Sequence, residues 1–283
     1  MKITLSPNQF IDSALSKPNT KHLGVIGFPI TQSKSPILHN LSYKNLNISA
    51  HYFAIEIKSE NEFVDFIFAT EKVDNILGFN VTIPYKYILF QTFPNNKYSE
   101  LGAANILFKN DGKWQTENSD WVGFLSPIKS ELFQSVIILG SGGATASVIY
   151  GLRQLNPKIN LINISRRRIE QKGIQFIQSD YSALEQPLEK VDLIINSTPL
   201  GMNSFSDNFR ESFLDLLPET KCAYDLIYNP LKTSFLSYFE KKNYKTINGL
   251  DMFVEQASLA NKFWFGSEFN KQIKSEFIAE IMK

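Results

Sequence analysis

Cysteine is almost missing from this chain, and so are histidine, long apolar runs and any surplus of one charge. Cys222 is the only cysteine among 283 residues, so neither an intramolecular disulfide nor a thiolate metal cluster can form. The three histidines, His22, His39 and His51, show no metal-ligand spacing of the H-x-x-x-H kind. No stretch approaches the roughly 18 apolar residues of a membrane span, and "MKITLSPNQFIDSALSKPNTKH" lacks the continuous apolar core of a signal peptide. Basic residues number 29 and acidic ones 28, a balance that gives no electrostatic case for nucleic acid or an acidic membrane as the main partner. A reducing cytoplasm is the expected compartment.

What is present fits a globular protein: 43% hydrophobic and 20% charged residues, in a chain long enough for one large domain or two modest ones. "HLGVIGF" reads as a strand, followed by a polar loop "PITQSKSP" and an amphipathic stretch "ILHNLSYKNLN". "HYFAIEI" and "NILGFNVT" are further strands, with helices expected at "ENEFVDFIFAT" and "PYKYILFQTF". This alternation points to α/β architecture. Two short runs around Asp111-Gly112 read instead as a hairpin. A cleaner pattern begins at "SVIILGSGGATASVIYGLRQL", with later strands at "INLINISRRR", "VDLIINSTPLGM" and "KCAYDLIYNP". The boundary between the halves is placed near Asn118 to Gly123. The last two amphipathic stretches, from Asn248 onward, are helices that could close either half.

Glycines at 140, 142 and 143 directly after an apolar strand permit a tight turn and close backbone approach, and the helix start behind them attracts phosphate. Thr145 stands in the third glycine place of G-x-G-x-x-G. About 20 residues on, where a NAD-binding fold carries Asp or Glu, this chain has Ser165-Arg166-Arg167-Arg168. A carboxylate there would repel a 2′-phosphate, whereas guanidinium groups hydrogen-bond it in pairs, which favours NADP over NAD.

Lys86 raises a different question, because it follows Pro84 at an expected helix start, the end where the macrodipole disfavours a cation. If "GFNVT" is a strand, Asn80 and Thr82 share a face and Lys86 emerges beside it. Partial burial among Phe79, Ile83 and Phe90 would add to the dipole in lowering the ammonium pKa, a sensible way to let an amine exchange protons near neutrality. Ser33 and Ser35 lie two apart in the polar loop, and Asn118 and Asp120 stand at the boundary. Each of these also has a plain reading as an exposed lysine or a helix cap.

Taken in order, "SKSPILHN", "FNVTIPYK", "GAANIL", "NSD", "GSGGA", "NSTPLGM", "DLIYNP" and "GLDMFVEQA" resemble the shikimate dehydrogenase family over roughly residues 23 to 265, leaving about 20 N-terminal residues as an extension of unknown role. The resemblance implies reversible, NADPH-dependent reduction of 3-dehydroshikimate to shikimate, in aromatic amino-acid biosynthesis. It implies two α/β domains: a substrate domain over 1–119 and 249–283, to which the C-terminal helices return, and a Rossmann-like NADP domain over 120–248. By motif, Lys86 is the proton-transfer residue and Asp120 its partner. Ser33 and Ser35 hold the substrate carboxylate, Asn80, Thr82, Asn105, Asp120 and Gln256 bind ring hydroxyls, and Tyr228 sits near the carboxylate end. Gly140, Ser141, Gly142, Gly143 and Ala144 form the phosphate loop, Ser165, Arg166 and Arg167 the 2′-phosphate clamp, and Leu226 and Gly249 lie near the nicotinamide. The implied partner is a small molecule, shikimate or 3-dehydroshikimate, with the chain a monomer or homodimer.

Three departures stand out. Ile106 replaces the usual threonine after Asn105, Ser119 replaces threonine in N-T-D, and "NISRRR" replaces N-R-T followed by a basic residue. If Ser165-Arg166 matches Asn-Arg the clamp survives; if Asn163 matches instead, Ile164 takes the place of the first arginine. Asp120 would raise the Lys86 pKa against dipole and burial, and the sequence leaves that balance open. Three rivals remain: a quinate/shikimate dehydrogenase with relaxed cofactor use, a non-catalytic NADP and small-acid sensor, and a hydrolase built on His39 with Ser33 or Ser35. The last lacks any G-x-S-x-G elbow.

Overall fold

The computed structural model describes residues 4–168, 173–182, 184, 187–203 and 207–282. The chain divides into two compact units, residues 1–119 with 254–283, and residues 120–253.

The first unit runs β1 (Thr4–Leu5), α1 (Pro7–Ser16), β2 (Lys21–Gly27), α2 (Ser35–Asn45), β3 (Ala50–Glu56), α3 (Glu60–Glu71), β4 (Ile76–Val81), α4 (Lys86–Thr92), β5 (Ile106–Asn110) and β6 (Lys113–Glu117). Its sheet has the order β1-β3-β2-β4-β5-β6. The first four strands are parallel and the last two antiparallel. β2 is buried along all but its first residue, as expected of a parallel strand covered on both faces. The β5–β6 turn has Asp111 at φ 51° and Gly112 at φ 76°. Two successive positive values define a type I′ hairpin, as the Asp-Gly pair announces.

The first residues are not an appendage. Ser6 and Gln9 form a reciprocal capping box at the start of α1, with Pro7 in the first turn. Phe10 is wholly buried, its ring 5.9 Å from Phe53, 5.9 Å from Phe66 and 5.5 Å from Phe79. Asn75 Nδ2 lies 2.9 Å, 3.1 Å and 3.1 Å from the carbonyls of Ala14, Lys17 and Thr20, fastening the other end of α1 to the sheet.

The second unit follows with α5 (Asp120–Leu125), β7 (Ser135–Leu139), α6 (Gly143–Leu155), β8 (Asn160–Ser165), β9 (Ile174–Gln178), β10 (Leu193–Asn196), α7 (Glu211–Leu214), β11 (Cys222–Asp225), α8 (Ser234–Lys241) and β12 (Lys245–Ile247). Its sheet is parallel throughout, in the order β12-β11-β10-β7-β8-β9. Counted from β7, that is the 3-2-1-4-5-6 order of a doubly wound nucleotide-binding fold. β9, β12, α7 and α8 were not anticipated from the sequence. The expected strands also stop early: β8 ends at Ser165, before the three exposed arginines, and β10 ends at Asn196.

α9 (Leu250–Phe265) begins in the second unit and continues into the first, and α10 (Ile273–Ile281) packs on α2. Both terminal helices thus contribute to the first unit. Trp264 of α9 donates from Nε1 to the Leu107 carbonyl at 3.1 Å, through a gap that exists because residue 78 is glycine; a Cβ there would stand 2.2 Å from that nitrogen. Among the described residues, no helix is long and apolar enough to cross a membrane, and no group of three His, Cys, Asp or Glu could hold a metal ion.

Candidate active site

In the first sheet the chain leaves β2 for β3 on one side and later returns to β4 on the other. The loops after β2 and β4 therefore part at the carboxyl ends of the strands, the place where open α/β sheets bind ligands. Their bases are joined: Phe28 N–H donates to the Ile83 carbonyl at 3.0 Å and Thr82 N–H to the Ile26 carbonyl at 2.9 Å. Ser33 lies in the first loop, where its Oγ accepts from Ser35 N–H at 3.3 Å. Ser35, buried, is the first residue of α2, so both hydroxyls sit at the positive end of an 11-residue helix.

Lys86 opens α4. The preceding residue fixes its place: Tyr85 is buried, its ring stacks on Phe63 at 4.8 Å, and its hydroxyl donates to the Ile57 carbonyl at 2.7 Å. Two expectations need correcting here. Pro84 is not in the first helical turn; it lies in the turn before α4, after a cis bond to Ile83. The second concerns Ile83, expected among the residues covering Lys86: it is 58% exposed, while Lys86 is half-buried as expected.

The segment before β5 ties the other candidates together. Ala104 N–H donates to the Lys86 carbonyl at 3.1 Å, and the Asn105 carbonyl accepts from Val81 N–H at 2.9 Å and Asn80 Nδ2 at 3.3 Å. Lys86, Asn80 and Asn105 are thus brought into one neighbourhood, with Thr82 between the first two along the chain. The motif "NSD" docks on the same segment. Asn118 Nδ2 donates to the Ala103 carbonyl at 2.9 Å, and Ser119 N–H donates to Asn105 Oδ1 at 2.7 Å. Asn105 Nδ2 donates in turn to Ser119 Oγ at 3.1 Å. Serine therefore supplies the hydroxyl that threonine usually does, and Ile106, in place of the other threonine, is wholly buried in the core. Asp120 follows directly, buried, as the first residue of α5. Gln256 stands half-buried on α9.

His39 is no catalytic base. Its ring lies flat on Tyr52, 4.0 Å away with 3° between planes, and burial pushes its imidazole down to about 3 against the opposing influence of the neighbouring Asn80 amide. An imidazole so held is too weak a base to take a serine's proton, and its Nδ1 faces the Tyr43 hydroxyl at 3.4 Å, which speaks against the hydrolase reading.

In the second sheet the switch point lies between β7 and β10. Gly140 there is structural: its φ of 115° suits glycine, and a Cβ would come within 2.7 Å of Ser197 Oγ. Thr145, in the third glycine place, is buried with its Oγ1 2.8 Å from that same Ser197 Oγ, so it closes the crevice floor. Gly142 and Gly143 differ. Nothing lies within 4 Å of where their Cβ atoms would be, and Gly142 caps the 13-residue α6 without any side-chain hydrogen bond. With Ser141 before them and Ala144 after, they leave backbone N–H groups and clear space, which fits a pyrophosphate.

Beyond β8, Arg166, Arg167 and Arg168 are exposed, and the Arg168 guanidinium lies 6.0 Å from the Phe176 ring centroid. Ser165 is wholly buried, with Oγ 2.9 Å from Asn163 Oδ1 and 2.6 Å from the Arg167 carbonyl. Asn163 Nδ2 reaches the Gly140 carbonyl at 2.6 Å, so it belongs to the glycine turn and not to an exposed clamp. Leu226 and Gly249 are brought together; a Cβ on Gly249 would stand 1.9 Å from the Leu226 carbonyl oxygen. Tyr228, in this unit, stacks on Phe253 at 4.1 Å.

One network passed unnoticed in the sequence. Asp225, wholly buried at the end of β11, accepts from Thr233 Oγ1 at 2.6 Å, Asn196 Nδ2 at 3.0 Å and Ile227 N–H at 3.0 Å. Asn196 Oδ1 accepts in turn from Thr198 N–H at 2.9 Å and its hydroxyl at 2.7 Å. "NSTPLGM" and "DLIYNP" are therefore halves of one polar brace beside Leu226. Burial pushes the Asp225 carboxyl up to about 7, opposed by those three donors. An aspartate closing an apolar strand and followed by a turn was the available signal.

Residues 25–107 match the family model described as the shikimate dehydrogenase substrate binding domain. Shikimate dehydrogenase (NADP(+)) of Prochlorococcus marinus strain MIT 9515 is 36% identical over 269 residues, covering 87% of this chain and 92% of the relative. The same-named protein of Methanocaldococcus jannaschii is 34% identical over 280 residues, covering 93% and 98%. Among solved structures, a shikimate dehydrogenase in complex with NADP+ superposes with a TM-score of 0.79 at 30% identity, covering 94% of this chain and 97% of its own.

Proposed function

The chain belongs to the shikimate dehydrogenase family, and from that premise we propose how its residues carry the family's reaction. It is an NADP-dependent oxidoreductase that interconverts 3-dehydroshikimate and shikimate, a step of aromatic amino-acid biosynthesis. The first unit is read as the substrate-binding domain and the second as the NADP-binding domain. The observation that carries the reading is the convergence of Lys86, Asn80, Asn118 and Ser119 on residues 103–105.

Reducing a ketone to a secondary alcohol requires hydride at carbon and a proton at oxygen. NADPH, when bound, supplies the hydride from its nicotinamide ring. Lys86 gives its ammonium proton to the carbonyl oxygen in reduction and takes it back in oxidation, with Asp120 orienting both amine and hydroxyl by hydrogen bonding. Ser33 and Ser35 hold the substrate carboxylate at the start of α2, with Tyr228 near that end. Asn80, Thr82, Asn105 and Gln256 hold ring hydroxyls, and a pocket of such groups rejects analogues that lack them. The turn from Gly140 to Ala144 takes the pyrophosphate on its backbone, and Arg166 and Arg167 take the 2′-phosphate. Ser165, being buried, acts by fixing the Arg167 backbone. Leu226 and Gly249 border the nicotinamide; Gly249 has both main-chain groups bonded to Ile227 and Phe253, so the Leu226 carbonyl is the group offered. A cytoplasmic monomer or homodimer completes the reading.

The test is absorbance at the nicotinamide band with purified protein, shikimate or quinate, and NADP or NAD in turn. Shikimate-dependent NADPH formation is expected. Tight NADP binding without turnover would leave only the sensor, and equal rates with quinate or NAD would favour the relaxed enzyme.

A further inference from the structure

Asn80 is held at both ends of its amide by the protein itself. Its Nδ2 lies 3.3 Å from the Asn105 carbonyl, an oxygen that can only accept, so the nitrogen must face it. Oδ1 is thereby turned toward the Tyr52 hydroxyl at 2.6 Å, and Tyr52 must be the donor. Burial raises the Tyr52 phenol well above its usual range, so the donor keeps its proton at any ordinary pH.

Tyr52 is itself clamped. Asn40 accepts from its N–H at 2.9 Å and donates to its carbonyl at 2.8 Å, while His39 covers its ring. Trp264 closes the cluster, 5.6 Å from His39 and 6.0 Å from Tyr52 between ring centroids. The stack therefore joins α2, which carries Ser35, to β4, which carries Asn80, and to α9, which carries Gln256.

We propose that Tyr52 is a positioning residue for substrate recognition: its hydroxyl sets the rotation of the Asn80 amide, so that a ring hydroxyl meets an amide donor in a fixed place. One N–H and one lone pair are spent on Asn105 and Tyr52 and the His39 imidazole also faces the amide, which leaves the second N–H for the substrate. The proposal rests on the reading that Asn80 contacts the substrate.

Tyr52→Phe keeps the ring and its stack and removes only the donor. Steady-state kinetics of Tyr52→Phe, Asn80→Ala and the double variant, run below the melting transition of each, form a cycle. Both single variants should lower kcat/KM for shikimate, Tyr52→Phe by about tenfold, within the range of contacting pairs. The KM for NADP should not move. In the Asn80→Ala background, Tyr52→Phe should change kcat/KM by less than about twofold, since its target is gone. Wild-type kcat/KM in Tyr52→Phe beside a large loss in Asn80→Ala, or fully multiplicative losses in the double variant, would overturn the role of Tyr52 alone. No loss in Asn80→Ala would overturn the substrate contact itself, and the proposal with it.

Discussion

The two crevices lie at equivalent places, each at the carboxyl ends of parallel strands where the strand order reverses, yet they are furnished in opposite ways. The first is lined by side chains already engaged with the protein: Asn80 with Tyr52 and Asn105, and Asn105 with Ser119. The second offers bare backbone, with open space over Gly142 and Gly143. Ring hydroxyls differ by position and need amides held at fixed rotation, so recognition requires anchored side chains. A phosphate is a diffuse anion that any ring of N–H groups accepts, so recognition requires room and a helix start. In the proposed reading, discrimination enters the second crevice at its margin, where Arg166 and Arg167 stand.

That contrast can be broken by substitution. Lys86→Ala should lower kcat by about 10² to 10⁴ while NADP affinity holds, as measured by steady-state kinetics and cofactor titration. A raised KM with normal turnover would reassign Lys86 to binding. Gly249→Ala and Gly143→Ala separate crowding from clearance. The first drives a methyl into the Leu226 carbonyl and should lower stability by about 3 kcal/mol, seen as a fall in Tm. The second adds a methyl to open space at a helix start, so Tm should hold or rise slightly. Its KM for NADP should nonetheless rise about tenfold, the equivalent of one lost hydrogen bond. Arg166→Ala should cut the preference for NADP over NAD by about tenfold or more, one charge-assisted bond being lost, and leave the KM for shikimate alone.

The remaining effect is one of pH, and it has opposite signs in the two units. His39, held near 3 by burial, and His22, also lowered by burial, contribute stability that is complete above their ordinary value of 6.5 and lost as pH falls. For His39 this amounts to about 1.4 kcal/mol for each pH unit below 6.5, down to its folded value. Asp225, raised to about 7 from an ordinary 3.8, contributes stability that is complete below 3.8 and lost as pH rises through 7. Acidifying from pH 7 to 5 should therefore speed amide hydrogen exchange in β2 and β3 relative to β10 and β11. Equal change in both sheets would show that these buried groups do not govern local stability.

How much of this was legible in the sequence depended on whether the deciding contact was local. The Asp111-Gly112 hairpin was readable because two positive φ values are demanded within two residues, and the glycine turn because strand, turn and helix are contiguous. The inward turn of Ser165 follows from strand parity with Asn163, and applying that parity would have revealed it. Ile83 misled because an apolar residue beside a lysine suggests burial, whereas a turn facing solvent exposes it. Tyr52 and Asn80 lie 28 positions apart and meet only through sheet register, which no spacing rule supplies. The Asn196–Asp225 brace was missed for the same reason, although both of its motifs were noticed.

The docking of the opening residues has a practical consequence. β1 occupies the free side of β3, and Phe10 fills the space over Phe53 and Phe79. Protein shortened to begin at Lys21 would bare a strand able to zip onto its twin in another molecule, with a sticky hollow beneath it. Such material should clump on purification, whereas an affinity tag hung ahead of Thr4 leaves the seam closed.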